Sequence, residues 1–157
     1  MSSDQRFQQA AEEMGYSFDG EIKVGGNYLP LVRHEQQIYI SGQIPRVGDS
    51  VVVTGRVGEQ VTLEQAQLGA RISVMRALAL LQRSLGSLES IKGILRIGVY
   101  VQCSMDFTRQ SEVADAASDL LVSVLGENGA HTRTSVGVYQ LPKNASVEVE
   151  LIAVARA

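Results

Sequence analysis

The stretch Gly129-Ala-His-Thr-Arg-Thr-Ser-Val-Gly-Val-Tyr-Gln-Leu-Pro-Lys-Asn-Ala-Ser-Val-Glu-Val-Glu-Leu-Ile-Ala-Val-Ala155 decides how this chain is read. Two runs that alternate like strands flank Leu141-Pro142-Lys143-Asn144. Proline presets φ and asparagine tolerates the left-handed region, so the four residues predict a turn, and the whole stretch a closing hairpin. In the first run Arg133, Ser135 and Gly137 share a face by the period of two. In the second, Glu148 and Glu150 share a face with Ile152 and Val154, while Val147, Val149, Leu151 and Ala153 line the other. An arginine, a hydroxyl and two carboxylates on one hairpin are the makings of a small polar site. The plainer readings stay open on spacing alone. Arg133 also fits a solvated charge or a structural ion pair, and the two glutamates fit the wet side of an edge strand.

Upstream, Ile38-Tyr39-Ile40-Ser41-Gly42-Gln43-Ile44-Pro45 supplies a second motif, with Tyr28 thirteen residues before Ser41. Together the two stretches resemble the YjgF/RidA family, also called endoribonuclease L-PSP, whose members hydrolyse reactive imines and enamines. That family ends in an arginine, a hydroxyl or small residue, a β-rich run, Leu-Pro, then alternating Val/Ile and Glu. The resemblance runs from about Tyr28 to the C-terminus. It implies a chorismate-mutase-like α+β fold, a homotrimer and ligand pockets between subunits. It also implies roles. Arg133 binds the carboxylate of a small 2-imino or 2-oxo acid, and Glu148 holds or activates the attacking water. Tyr28 and the backbone around Ser41 and Gly42 line the pocket. Ser135 stands where many active members carry a cysteine, which keeps a small polar group and removes a thiol. His131 stands where a proline is common, and Gly126-Glu127-Asn128-Gly129 adds residues ahead of Arg133. Both changes fall at the pocket rim.

Composition sets the outer bounds. The chain has 157 residues, 45% hydrophobic and 20% charged. That is enough for a sizeable core in one domain spanning 1–157, with residues 1–20 as a helical extension. A net charge of −3 argues against general nucleic-acid binding, which needs a basic footprint to displace counterions. Cys103 is the sole cysteine, and His34 and His131 lack ligand spacing, so neither a disulfide nor a metal site is expected. No apolar run reaches membrane-spanning length and the first residues lack a signal-peptide core. A cytoplasmic protein without a cofactor is the expectation.

Taken in order, Ser3-Asp4 offers an N-cap to a helix carrying Phe7, Ala10, Ala11 and Met14, expected to cover a sheet edge. Tyr28–Val32 and Ile38–Ser41 predict an antiparallel hairpin, and Val51-Val52-Val53 a short strand. The glycine of Ser41-Gly42 marks either a close backbone approach or a bulge. Thr62 with Gln65 forms a capping box for a helix ending at Gly86, with Leu63, Ala66, Ala70, Val74, Leu78, Leu81 and Leu85 inward. Arg71, Arg76 and Arg83 read as its wet side. Ile94–Cys103 is nearly apolar, as in a strand covered on both faces. Gln110–Leu125 predicts a helix with Val113, Ala117, Leu120 and Val124 inward. The order is an α+β mixed sheet with two main helices on one face, leaving the other face in need of a partner.

Three functions follow for such a chain. The first is imine/enamine deamination. The second is carboxylate binding without turnover, which the same pocket would allow. The third is endoribonuclease activity, against which the acidic charge, the absence of a histidine pair and 5% aromatics count.

Overall fold

The computed structural model describes residues 1–157. Helix α1 (Ser3–Met14) precedes strands β1 (Leu31–His34) and β2 (Gln37–Gln43) and a two-strand ribbon, β3 (Arg46–Val47) with β4 (Ser50–Val51). Helix α2 (Leu63–Leu85) leads into β5 (Ile91–Gln102), and helix α3 (Gln110–Leu125) into β6 (Thr132–Val138) and β7 (Val147–Ala155). The five long strands form one sheet in the order β1-β2-β7-β5-β6. All neighbours are antiparallel except β5 and β6. This is the expected α+β arrangement. Chain direction makes β2 and β5 parallel as well, each followed or preceded by helix α2, with β7 inserted between them.

The alternation in β7 does what the period of two requires. Val147, Val149, Leu151, Ala153 and Ala155 are buried beneath the helices, while Glu148, Glu150, Ile152 and Val154 point to the open side. Helix α2 has the anticipated box: Thr62 Oγ1 accepts from Gln65 N at 3.1 Å, and Gln65 Oε1 accepts from Thr62 N at 2.8 Å. Gly86 ends it in the left-handed region, and α3 has the predicted bounds.

The closing hairpin is not formed. Strand β6 arrives from α3 and pairs parallel with β5, and β7 returns along the other side of β5. Alternation fixes which face a side chain takes and says nothing about which strand lies beside it. The link between the two runs is a short 3-10 turn, Pro142–Asn144, with Lys143 and Asn144 at φ 58° and 59°.

Other expectations also change. Strand β5 is covered on one face only in this chain, with Leu95 44% exposed. The predicted strand at residues 51–53 ends at Val51, and Val53 turns inward to the core. Helix α1 does not cover a sheet edge. Ser2 is its cap, freeing Asp4 to accept from Leu88 N at 2.9 Å and Gln82 Nε2 at 2.7 Å. Arg6 Nε donates to the Val124 carbonyl at 2.8 Å. These bonds hold α1 across the C-terminal ends of α2 and α3, and Phe7 and Ala11 join the main core. No helix is long and apolar enough to cross a membrane.

Gly129 marks where the chain turns under α3 into β6. A Cβ there would collide with the Leu121 carbonyl and lie 2.9 Å from Val122 N, both rigid helix backbone. Gly129→Ala should cost about 1–3 kcal/mol, the usual range for overpacking. Gly93, where a Cβ meets nothing within 4 Å, is the control. Its alanine variant should stay within about 0.5 kcal/mol of the parent. Urea midpoints for both variants check the contrast.

Candidate functional site

Glu148 anchors one group of residues. It stands opposite Tyr100 on the open face, two pairs along from Glu150 and Gly98. On its other flank, β2 bulges. Ile40 pairs with Leu151 and Gln43 with Val149, so Ser41 and Gly42 together face the single residue Glu150. The bulge brings Gly42 against Glu148, so closely that a Cβ would sit 2.5 Å from Oε2 and 2.8 Å from Cδ. Both sequence readings of this glycine are therefore correct. Burial first, and the neighbouring Glu150 charge second, push the Glu148 carboxyl above the usual range. No cation or hydrogen bond opposes them.

A cavity of about 180 Å³ opens beside this carboxylate, lined by Tyr28, Gly42, Arg46, Arg76, Lys143 and Glu148 among others. Tyr28 is half exposed at its rim. Ser41 works from beneath. Its Oγ donates to the Leu29 carbonyl at 2.7 Å and its N–H to the Pro30 carbonyl at 3.0 Å, pinning the segment that carries Tyr28. The Ser41 side chain lines a different hollow, on the open face with Tyr39, Arg96 and Glu150.

Arg133 and Ser135 form a second group. Their partners on β5 are Ile97 and Val99, which are fully buried on the helix side. Arg133 therefore reaches α3. Nη1 donates to Asp115 Oδ1 at 2.8 Å and Ser118 Oγ at 3.0 Å, and Nη2 to the Ser111 carbonyl at 3.4 Å. His131 completes a chain of bonds. Its Nδ1 lies 2.6 Å from the Gly129 carbonyl and donates there, and its Nε2 shares a 2.7 Å hydrogen bond with Ser118 Oγ. Ser118 in turn accepts from Arg133. Ser135 makes no side-chain hydrogen bond and stays half buried on the edge strand.

The expected polar site on one hairpin is thus split within a chain. Tyr28, Gly42 and Glu148 are together, with Ser41 behind them. Arg133 and Ser135 lie on the opposite face of the sheet, with β5 between the groups. Sequence reading also missed Arg76. It is 4% exposed, not on the wet side, and its Nε donates to Gln43 Oε1 at 3.0 Å. The signal was present: Leu68, Ile72, Met75 and Ala79 make a second apolar line along α2, and Arg76 follows Ile72 by four residues and precedes Ala79 by three. Asp115, Ser118 and His131 gave no comparable signal, because their meeting depends on the α3–β6 crossover. No group of three His, Cys, Asp or Glu side chains is placed to hold a metal ion.

The position of Glu148 has a measurable cost. Unfolded, its carboxyl titrates near the ordinary 4.5; folded, it titrates higher. In that window the folded chain holds the extra proton, so stability falls as pH rises. Glu148→Gln should raise the melting temperature at about neutral pH and flatten that decline. Thermal melts across a pH series check it, and an unchanged slope would mean the carboxylate is not strained by burial.

The geometry has counterparts. The family model described as "YjgF/chorismate_mutase-like, putative endoribonuclease" matches residues 14–155. Protein TCP17 of Trypanosoma cruzi is 36% identical over 142 residues, covering 90% of this chain and 89% of that protein. The Agrobacterium tumefaciens protein Atu1372, of unknown function, superposes with a TM-score of 0.86 at 31% identity, covering 99% of this chain and 94% of its own. A Shewanella oneidensis structure described as a "putative endoribonuclease" gives 0.90 at 27% identity, with 98% and 99% covered. With nearly the whole chain matched in sequence and in fold, this protein belongs to the YjgF/chorismate-mutase-like family.

Proposed function

We propose that the chain hydrolyses reactive 2-imino and 2-enamino acids to 2-oxo acids and ammonia, in pockets shared between the subunits of a homotrimer. The observation that supports this most is Glu148, a half-buried carboxyl raised in pKa and bound to nothing. A carboxyl raised by burial holds a proton more readily than a free one, so it can take one from water and return it.

Each residue has a task in the reaction. Arg133 receives the substrate carboxylate with the donors that Asp115, Ser118 and Ser111 leave unused, since guanidinium suits a planar oxyanion. Glu148 takes a proton from a water as its oxygen adds to the C=N carbon. The resulting carbinolamine nitrogen is protonated and leaves as ammonia, and the carbon–oxygen bond becomes the carbonyl of the 2-oxo acid. An enamine first gains a proton at carbon to become the imine. Tyr28 and the Gly42 backbone bound the space in which the water and carbon meet, and the Ser135 hydroxyl lies beside Arg133 to orient the carboxylate. Positioning of this kind supplies several kcal/mol of the barrier.

Association of three chains accounts for two features. Val32 (51% exposed), Tyr39 (44%), Leu95 (44%) and Val136 (40%) leave an apolar open face without intrachain cover. The separated groups at Glu148 and Arg133 also become one site when each comes from a different chain. Cys103, a free thiol, suits a reducing, cytoplasmic setting.

Carboxylate binding without turnover is favoured by one observation, the serine at position 135 where the family often has cysteine. RNA cleavage is less well supported. His131 is held by Ser118 and the Gly129 carbonyl, His34 is exposed at the end of β1, and the net charge is −3.

The purified protein should sediment at three times the chain mass of 17.0 kDa. It should also release ammonia from imines generated in situ from amino acids. Arg133→Ala should weaken 2-oxobutanoate binding by about 1.5–3 kcal/mol, the worth of a hydrogen bond to a charged group. Glu148→Gln should bind nearly normally and lose about 10²–10⁴-fold in hydrolysis. Binding that is unchanged in Arg133→Ala would show that the carboxylate anchor lies elsewhere. Binding without ammonia release from any imine would favour the non-catalytic reading.

A further inference from the structure

Arg76 is a full charge placed where α2 is otherwise apolar, flanked by the buried Ile72, Met75 and Ala79. Burying a cation costs several kcal/mol unless an anion compensates it. None does. The ion pairs of the chain are Lys23–Asp49, Arg56–Glu59, Arg109–Glu112 and Arg133–Asp115, and Arg76 is in none of them. Its guanidinium donates only to neutral oxygens: Gln43 Oε1, the Arg46 carbonyl at 2.9 Å and the Lys23 carbonyl at 3.2 Å. Burial, and then the Arg46 charge, lower it to about 10, so it remains cationic at neutral pH.

Its neighbours add charge of the same sign. Arg46 lines the same cavity, and its Nε is buried with no hydrogen-bond partner. Lys143 closes the rim from a left-handed backbone conformation, φ 58°, which a residue with a side chain adopts at a cost. Glu148 shares the cavity but forms no ion pair with Arg76, Arg46 or Lys143. Burial and Glu150 govern its carboxyl, and no cation draws it down. At about 180 Å³ the space suits a small acid, below the ~300–1,000 Å³ of sites for drug-sized ligands.

We propose that Arg76, Arg46 and Lys143 form an oxyanion subsite beside Glu148 that takes a second acid group of the substrate. The preferred imino or oxo acid then carries a distal carboxylate or phosphate in addition to the carboxylate at carbon 1. This rests on the reading of Glu148 as the reacting end of the pocket. A guanidinium serving only as a strut would tie Lys23, Gln43 and Arg46 together equally well, but it would leave the orphaned Arg46 Nε and the strained Lys143 without a purpose.

Calorimetric titration of the full chain with 2-oxobutanoate, 2-oxoglutarate and inorganic phosphate, at one ionic strength, tests the subsite. In the parent, 2-oxoglutarate should bind at least about tenfold more tightly than 2-oxobutanoate, the lower end for a hydrogen-bonded charge pair. Phosphate should compete with 2-oxoglutarate, and Arg76→Met should bring the ratio to within about twofold. Phosphate binding more tightly than 2-oxoglutarate, and lost in the same variant, would support the subsite with a phosphate ester as its group. The double variant Arg46→Gln/Lys143→Gln leaves the buried strut intact and should still lower the ratio by about threefold or more. Equal affinities in the parent, or a ratio unchanged in both variants, would overturn the subsite. Ammonia release that is as fast with the imine of alanine as with that of glutamate would overturn it and leave the deaminase reading. Arg76-dependent preference without ammonia release from any imine would do the reverse.

Discussion

Parallel pairing of β6 with β5 governs where every candidate residue can act. Seven consecutive pairs, from Arg96 with Thr132 to Gln102 with Val138, lock the register. Because β7 pairs with the other edge of β5, Arg133 and Glu148 are held apart by a strand and face opposite sides. A one-residue slip in β6 would turn Arg133 away from Asp115 and Ser118 and bury Thr132 or Thr134 against α3. Gly129 and the His131–Ser118 bond hold the start of the strand and resist that slip. The consequence reaches function. A site that needs both the arginine and the carboxylate must draw them from different chains.

Several features around Glu148 run against stability, and they fall together. The carboxyl is desolvated beside a like charge, Arg76 is buried without a counter-ion, and Lys143 and Asn144 both hold left-handed backbone. The core elsewhere is conventional, with apolar side chains under α2 and α3 almost fully buried. Strain gathered at one cavity in an otherwise well-packed chain is the pattern of a site shaped for a ligand. Gly42 serves the same end, since any Cβ at that position of the bulge would meet the Glu148 carboxylate.

Much of this fold could be read from the sequence, and the reasons are local. The capping box of α2, the bounds of α3 and the two faces of β7 follow from periodicity and end signals that act within a few residues. Strand neighbours do not. The turn at Pro142 was read rightly as a turn and wrongly as a hairpin, because a β-rich run carries no mark of the strand it will pair with. The site residues divide the same way. Tyr28, Gly42 and Glu148 line one cavity. Arg133 and Ser135 share the face their spacing predicts, on a different side of the sheet from the glutamate. Arg76 was misread because arginine at a helix surface is commonly wet, although its place on the Ile72–Ala79 line pointed inward.

An account in which one chain supplies Arg133 and another Glu148 can be tested by mixing subunits. Arg133→Ala and Glu148→Gln chains, each nearly inactive alone, are unfolded, combined in equal amounts and refolded, and ammonia release is measured. Random assembly into closed rings should give intact pockets at about one interface in four, and so about a quarter of the parent rate. A mixture no more active than its two components would contradict the shared site.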